Sequence, residues 1–423
     1  MSQDSPTVSV IIPTHNRQAS LKRLLEGLEC QTYPMDQMEA IVIADGCGDS
    51  TVEMLKSYHG PLTLQFIEQP GQGAGVARNR GAAIAKGRLL LFLDDDIDPT
   101  PHLVEAHVHA HRQPNQVVMG YLPPLLSNPS SFFHIQLRAW WEDKFQAMHK
   151  PGHRYTFEDL LSGNFSIAAE LFNRVGGFDA AFRCREDYEL GIRLLEAGAD
   201  FMLEMNACGH HRDEAADLDR SLRRKYEEGA ADVLFGRRHP EVMHRLGPFR
   251  FGEPNSRLDR FMVLAVFRFP GLCDALVQTL RWSLDKMEVL RMRGYWQRLN
   301  NKLHGYWYLR GVVDELKTQK GLFNYLQGGL VRPDESMNEI EVDLQQGLAK
   351  AEQQLDRERP VSVRIRYGQH KVGRIPPQAG AEPLRGVHLR SILATDLAWS
   401  LMQALALEGA IDPGIFSERL SLK

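Results

Sequence analysis

The chain has 423 residues, 43% of them hydrophobic and 25% charged, with 50 Lys and Arg against 54 Asp and Glu for a formal charge of −4. That composition is that of an ordinary globular protein; it excludes collagen, coiled coil and wholesale disorder, and the balanced charge excludes a polycation built for nucleic acid. At roughly 100 to 200 residues per domain the length accommodates two to four domains, each able to bury its own core.

The elements read as follows in chain order. VSVIIP (8–13) is a strand, and 18–29 an amphipathic helix through Leu21, Leu24, Leu25 and Leu28. AIVIADG (40–46) is a strand, 51–58 a helix, LTLQFIE (62–68) a strand and 74–86 a helix of small residues. RLLLFLDDD (88–96) is an apolar strand that ends in three aspartates. This alternation predicts a largely parallel sheet covered by helices, in which ligands collect beyond the carboxyl ends of the strands. A helix over 99–112 and a strand over 116–122 follow, then a Pro-rich stretch at 123–129 and a helical or irregular run to about 155. Between 161 and 201 come a strand, a short helix, a Gly-Gly turn and a longer helix. The stretch 237–320 is aromatic and basic, with 16 Lys and Arg against 8 Asp and Glu. VRPDESMNE (331–339) is a polar boundary, after which VSVRIRYG and KVGRI predict a hairpin and 386–408 an amphipathic helix.

Five cysteines, an odd number without a CxxC pair, fit a reducing compartment rather than a disulfide framework. The opening MSQDSPTVSVIIPTHNR has neither the basic nor the apolar region of a secretory signal. The longest strongly apolar run, Phe261 to Phe267, falls far short of the roughly 20 residues that cross a bilayer. The expectation is a cytoplasmic protein, with membrane contact confined to its surface.

The sharpest chemical feature is Asp94-Asp95-Asp96. Three adjacent carboxylates repel one another, so a fold places them at a strand end when a cation offsets the charge or when they cap the helix that follows. Oxygen ligands favour a hard ion, Mn²⁺ or Mg²⁺, shared with substrate phosphates. His107 and His111, four apart, would share a helical face that either binds Zn²⁺ or packs inward. GQGAG is not a dinucleotide fingerprint, because Val76 stands where the third glycine is required. Gly71, Gly73 and Gly75 give either a flexible loop whose backbone approaches a ligand or a plain turn.

VSVIIPTHNR, then IVIADGCGDST, then GQGAGVARNRGAAIAKGRLLLFLDDDIDP, in this order and spacing, resemble the nucleotide-sugar-binding half of family 2 glycosyltransferases of the GT-A fold. GNFSIAAELFNRVGGFDAAFRCREDYELGIRL resembles the acceptor half of the same family, so the likeness spans roughly half the chain. It implies an α/β fold, a GT-A type mostly parallel sheet flanked by helices, followed by a helical region and a small α+β C-terminal module. The expected boundaries are 1–115 for the nucleotide-sugar half, 116–236 for the acceptor half, 237–330 for the basic aromatic extension and 331–423 for the module.

The resemblance also implies roles. Pro13, Thr14 and Arg17 would contact the nucleotide, and Asp45 the base. Cys47 and Gly48 stand where the family carries small polar residues, and Asp49 either caps the next helix or binds. Arg78 approaches the nucleotide or diphosphate, or lies on a helix surface. Asp94 takes the ribose side, Asp96 the metal, with Asp95 between them, and Asn164 would also contact substrate. Asp187 is the base that deprotonates the acceptor, with Glu186 orienting it; the competing reading of this pair is helix N-terminal acids in a favourable dipole. His211, ahead of His210, completes the metal site.

The stretch 237–320 is either a helical appendage with Trp296, Trp307 and Tyr308 in its core or a cationic surface that meets lipid. The activity implied is a metal-dependent, inverting transfer of a sugar from a UDP-sugar or other nucleotide-sugar onto a carbohydrate or lipid-linked acceptor, in polysaccharide or glycolipid synthesis. Its alternatives are a nucleotidyltransferase on a similar fold and a non-catalytic sugar-binding or scaffold protein.

Overall fold

The computed structural model describes residues 7–125, 131–212, 217–251, 257–329 and 338–411. Most of the polar boundary at 331–339 and part of the Pro-rich stretch lie outside these residues. The described residues divide into two compact units, one within 1–145 and 157–331, the other within 146–156 and 332–423.

In the first unit the chain runs β1 (Val8–Thr14), α1 (Gln18–Glu29), β2 (Met38–Asp45), α2 (Thr51–Lys56), β3 (Thr63–Gln69), α3 (Ala74–Ile84) and β4 (Leu89–Leu93). Then come β5 (Ile97–Pro99), α4 (Leu103–Ala110), β6 (Gln116–Tyr121), α5 (Phe132–His149), β7 (Asn164–Ala168), α6 (Ala169–Arg174), α7 (Glu186–Glu196) and β8 (Asp200–His211). The strands form one sheet in the order β3-β2-β1-β4-β7-β6-β8-β5. The half expected to be parallel is so: β1 pairs in parallel with both β2 and β4, and β2 with β3. The other half is mixed, since β7 is antiparallel to β4 and β6, and β5 to β8, while β6 and β8 are parallel. The reading along the sequence missed β5 and β8.

Apolar periodicity explains the layer below the sheet, where Leu21, Leu24, Leu25 and Leu28 of α1 meet Val10, Ile12 and Leu91 in one buried cluster. On the opposite face α3 is built of small residues because it lies close to the sheet: a Cβ on Gly81 would sit 2.6 Å from Ile11 Cγ2. The chain runs from β1 outward to β2 and β3, then crosses back to β4 on the other side of β1. The carboxyl ends of β1 and β4 are therefore the switch point at which such sheets open a crevice.

The helical region follows as α8 (Leu218–Arg238), α9 (Gly247–Arg250), α10 (Arg257–Arg268), α11 (Pro270–Val289), α12 (Arg293–Leu316) and α13 (Gln319–Gly328). Trp296 is fully buried in its core, and Trp307 and Tyr308 pack against it partly buried. Glycines let α8 and α12 touch backbone to backbone: a Cβ on Gly311 would lie 1.9 Å from the Tyr226 carbonyl, and one on Gly229 2.1 Å from that of Tyr308.

The second unit holds β9 (Glu339–Asp343), α14 (Leu348–Glu358), β10 (Ser362–Tyr367), β11 (His370–Ile375), α15 (Gly386–Ala394) and α16 (Ala398–Leu407). The expected hairpin is β10-β11, with β9 added in parallel on the other edge of β10. The single helix expected at 386–408 is two, separated at 395–397. Residues 146–156 belong to this unit rather than to the acceptor half; Tyr155 N and Arg154 Nε donate to Glu382, which is buried there.

Candidate active site

The three aspartates emerge from β4 directly beside the end of β1, where Thr14, Arg17 and Arg78 meet them. Thr14 Oγ1 donates to Asp95 Oδ2 at 2.7 Å. Arg17, at the N-cap of α1, spans Asp95 Oδ1 at 2.9 Å and Asp96 Oδ2 at 2.5 Å. Asp94 Oδ1 receives Arg78 Nη2 at 2.6 Å. Two guanidinium groups thus offset the repulsion that the sequence makes unavoidable. Burial pushes the Asp95 carboxyl up to about 6, against the pull of Arg17. Burial would raise Asp96 as well, but His211 and Arg17 outweigh it and hold Asp96 at about 2, a carboxylate at every physiological pH.

This geometry revises two expectations. Arg78 is not a helix-surface arginine: its side chain is 3% exposed, and Nη1 reaches across to Glu186 Oε1 at 3.1 Å. Arg17, expected to contact the nucleotide, is turned onto the aspartates, because two buried carboxylates lie within its reach. Pro13 and Thr14 are buried within β1, and the exposed residues there are His15 and Asn16. Asn16, at φ 54°, accepts from Gly48 N at 2.6 Å and Asp49 N at 3.2 Å and so pins the loop after β2. That role was missed; an Asn in a strand-end PTHNR run, tolerant of left-handed backbone, was the available signal.

Asp45 is buried, and its carboxylate accepts from Gln69 Nε2 at 2.7 Å and from the backbone N–H of Gln72 and Gly73, each at 2.8 Å. It cinches the GQGAG loop, so that loop is a held turn. Gly73 at φ 98° supplies the positive φ it needs, and Gly46, at φ 72° after β2, lies so close that a Cβ there would sit 2.7 Å from Gly71 N. Asp49 accepts from Thr51 N and, at longer range, Gln18 N, serving the starts of both α2 and α1.

Glu186 and Asp187 open α7, in the turn where the helix dipole favours acids, immediately after Arg185 at φ 66°. That backbone is held because Arg185 Nε meets Asp232 Oδ1 at 3.1 Å, Nη2 meets Glu228 Oε2 at 3.2 Å, and the guanidinium stacks over Tyr188. Burial raises the pKa of Glu186, with the neighbouring Asp187 charge adding to it, and burial raises Asp187 against the pull of Arg224 and Arg185. Gly75 of α3 lies close against this segment: a Cβ there would sit a tight 3.3 Å from Phe178 Cβ and in ordinary contact, 3.5 Å, with Glu186 Cγ. Asn79 completes the joint between α3 and the acceptor half by bonding both the N–H and the C=O of Phe178, and sequence reasoning passed over it.

On β8 the alternation of the strand turns His211 toward the acids, with Nε2 3.4 Å from Asp96 Oδ1, while His210 pairs in register with Asp98. An anionic oxygen and an imidazole nitrogen side by side form a donor set suited to Mn²⁺ or Mg²⁺, and the buried Asp96 Oδ1 makes no hydrogen bond shorter than this 3.4 Å approach among the described residues. Asp96 and His211 therefore supply two of the donors a divalent ion requires.

Asn164 is 0% exposed, and its amide is committed to Ala207 O at 2.9 Å and His107 Nε2 at 2.8 Å. It is placed in the interior and not at a substrate face. His107 Nδ1 and His111 Nε2 both lie 2.8 Å from Ser166 Oγ, and burial drives both rings down to about 4. They form a neutral, hydrogen-bonded core pair, so the inward-packing reading holds over zinc ligation.

Comparison with known proteins adds four findings. The model of Glycosyl transferase family 2 matches residues 9–176. Validoxylamine A glucosyltransferase of Streptomyces hygroscopicus subsp. jinggangensis (strain 5008) is 31% identical over 278 residues, covering 57% of this chain and 63% of its own. A Bacillus subtilis (strain 168) protein named as glycosyltransferase EpsH is 33% identical over 255 residues, covering 50% of this chain and 73% of its own. Among solved structures, mannosyltransferase PcManGT from Pyrobaculum calidifontis, in complex with GDP-Man and Mn²⁺, aligns at 17% identity with a TM-score of 0.48 over 74% of this chain and 87% of that one. The chain spans about three fifths of the length of the Streptomyces relatives it matches.

Proposed function

We propose, because the chain belongs to glycosyl transferase family 2, that it moves a sugar from a nucleotide-sugar donor onto an acceptor hydroxyl with inversion. The observation that carries this reading is the Arg78 bridge: one buried guanidinium joins Asp94, at the donor strand end, to Glu186, beside the acceptor base, so the two acidic motifs lie one guanidinium apart. Arg78 Nε is buried and makes no hydrogen bond among the described residues, so the guanidinium acts through its two terminal nitrogens.

In this reading Asp187 removes the acceptor proton. Its raised pKa suits that task, because a base is most effective when its pKa lies nearer the working pH. Glu186, fixed by Arg78, orients the acceptor hydroxyl. A single base on the acceptor side and a leaving group on the donor side describe a direct displacement, which inverts the sugar carbon. Asp96 and His211 would hold Mn²⁺ or Mg²⁺, which would supply Lewis acidity to the departing diphosphate. Arg17 would be released from Asp96 toward the nucleotide phosphates as that charge arrives. The glucosyltransferase names of the Streptomyces relatives support a hexose as the group transferred, and a UDP-sugar is the first donor to try.

The test is thermal shift with a panel of UDP- and GDP-sugars, each with and without Mn²⁺. A ligand at about 100 times its dissociation constant stabilises by roughly 2.7 kcal/mol, which is readily seen. Asp187→Asn should keep that shift and lose transfer by about a hundredfold or more. A variant that keeps full transfer would remove Asp187 as the base.

A further inference from the structure

Helices α10 and α11 turn apolar side chains outward. Leu272, Leu276 and Leu280 recur every fourth residue of α11 and share one face, where they are 73%, 62% and 39% exposed. On the adjoining face Val277 and Leu284 are buried in the helical core. A helix of a globular protein needs one apolar stripe, and α11 has a second that the described residues leave uncovered. Phe261, Met262 and Leu264 of α10, Phe269 between the helices and Trp282 of α11 are exposed as well. Large apolar side chains gathered on one surface element mark a docking surface.

Charge selects what docks. Exposed Arg260 and Arg268 bracket the apolar run of α10, and Lys286, Arg291, Arg293 and Arg298 are exposed along the end of α11 and the start of α12. Lys286 Nζ stands 3.9 Å over the Trp282 ring. Two of the nearby acids are turned inward: Asp274 accepts from Tyr306 and Arg310, and Glu288 from Phe132 N. A second copy of the chain would set this cationic surface against itself, because a two-fold interface matches a patch with its own copy. A bilayer with anionic headgroups matches both the apolar stripe and the cations beside it. Neither helix is long and apolar enough to cross a membrane alone; only together do they have that length and composition, and the pair is bent by 117° where α10 meets α11.

We propose that the outward face of α10 and α11 docks on a bilayer bearing anionic lipid, with the leucines at the acyl boundary and the arginines among the headgroup phosphates. The same layer reaches the acceptor carboxylates: α11 packs on α12 and α12 on α8, and α8 supplies Glu228 and Asp232, which hold Arg185 beside Glu186. The surface does not depend on the acidic crevice, so nucleotide-sugar binding in solution and docking on lipid succeed or fail separately.

The experiment sediments the full chain with sucrose-loaded vesicles of phosphatidylcholine alone and of phosphatidylcholine with about one third phosphatidylglycerol. Binding to the anionic vesicles should exceed binding to the neutral ones by about tenfold. It should fall about tenfold in Leu272→Gln/Leu276→Gln/Leu280→Gln and in Arg260→Glu/Arg268→Glu, with unchanged nucleotide-sugar thermal shifts. Equal binding to both vesicles, binding to neither, or full binding by the leucine variant overturns the proposal. So does light scattering that finds a dimer which the leucine variant converts to monomer, since the surface then belongs to a second copy. In the unmutated chain, brominated acyl chains should quench fluorescence that Trp282→Phe removes, and a lack of quenching overturns the proposal without relying on a variant's folding.

Discussion

Arg78→Met removes the positive charge between Asp94 and Glu186 and keeps most of the side chain's volume. The guanidinium is 3% exposed and holds one carboxylate at 2.6 Å and the other at 3.1 Å. Deleting one member of a buried ion pair costs about 3–5 kcal/mol, chiefly because the partner is left charged and desolvated. Here two partners are left, but Asp94 is 36% exposed and is rehydrated in part, so the expected loss stays within that range. For a unit of about 320 residues each kcal/mol lowers the thermal midpoint by about 1.5 °C, which gives a drop of about 5–7 °C. The assay is reversible thermal or urea unfolding of the variant beside Arg78→Met/Asp94→Asn/Glu186→Gln, in which the stranded charges are gone. The triple variant should regain about 2 kcal/mol or more of the loss. A single variant that loses under about 1 kcal/mol, or a triple variant no more stable than the single, would refute the claim that Arg78 is held by buried charge.

Burial raises Asp187, so the acid limb of the kcat/KM profile should lie above the ordinary aspartate value, with activity lost as pH falls and the base protonates; a limb at or below that value in a pH titration contradicts the assignment. His239 is raised to about 9, since burial lowers it but Glu189 and Glu241 outweigh that. Its stabilisation is therefore complete below about pH 6.5 and is lost as pH rises through 9. His239→Gln should cost about 1–2 kcal/mol at pH 6 and little at pH 10, as measured by urea midpoints at the two pH values. Gly81→Val must displace Ile11, whose Cγ2 would lie 2.6 Å from the new Cβ, and should destabilise by about 1–3 kcal/mol in chemical unfolding.

Much of the first half of the chain was legible because its signals are local. The strands β1 and β4 declare themselves as short apolar runs and the helix α1 by its side-chain period, and the bounds found for α1 are those read from its leucines. The strand β8 was not legible: its twelve residues include Glu204, Asn206, His210 and His211, and only partners on both edges make them a strand. In the helical region the buried Trp296 was readable from composition, whereas the outward leucines of α11 were not, since a helix sequence shows an apolar face without showing what lies against it.

The sequence by itself determined that three carboxylates close β4, that two more open α7 and that some positive charge must answer them. Tertiary structure alone decided which charges do so. Placing β1 next to β4 brings Arg17 over Asp95 and Asp96, and packing α3 against α7 carries Arg78 from one acidic motif to the other. The same decision sent Asn164 inward and turned His211, not His210, toward Asp96. The physical reason is that periodicity and capping act over a few residues, whereas neutralising a buried charge depends on groups that only the pairing of distant strands brings within a few ångströms.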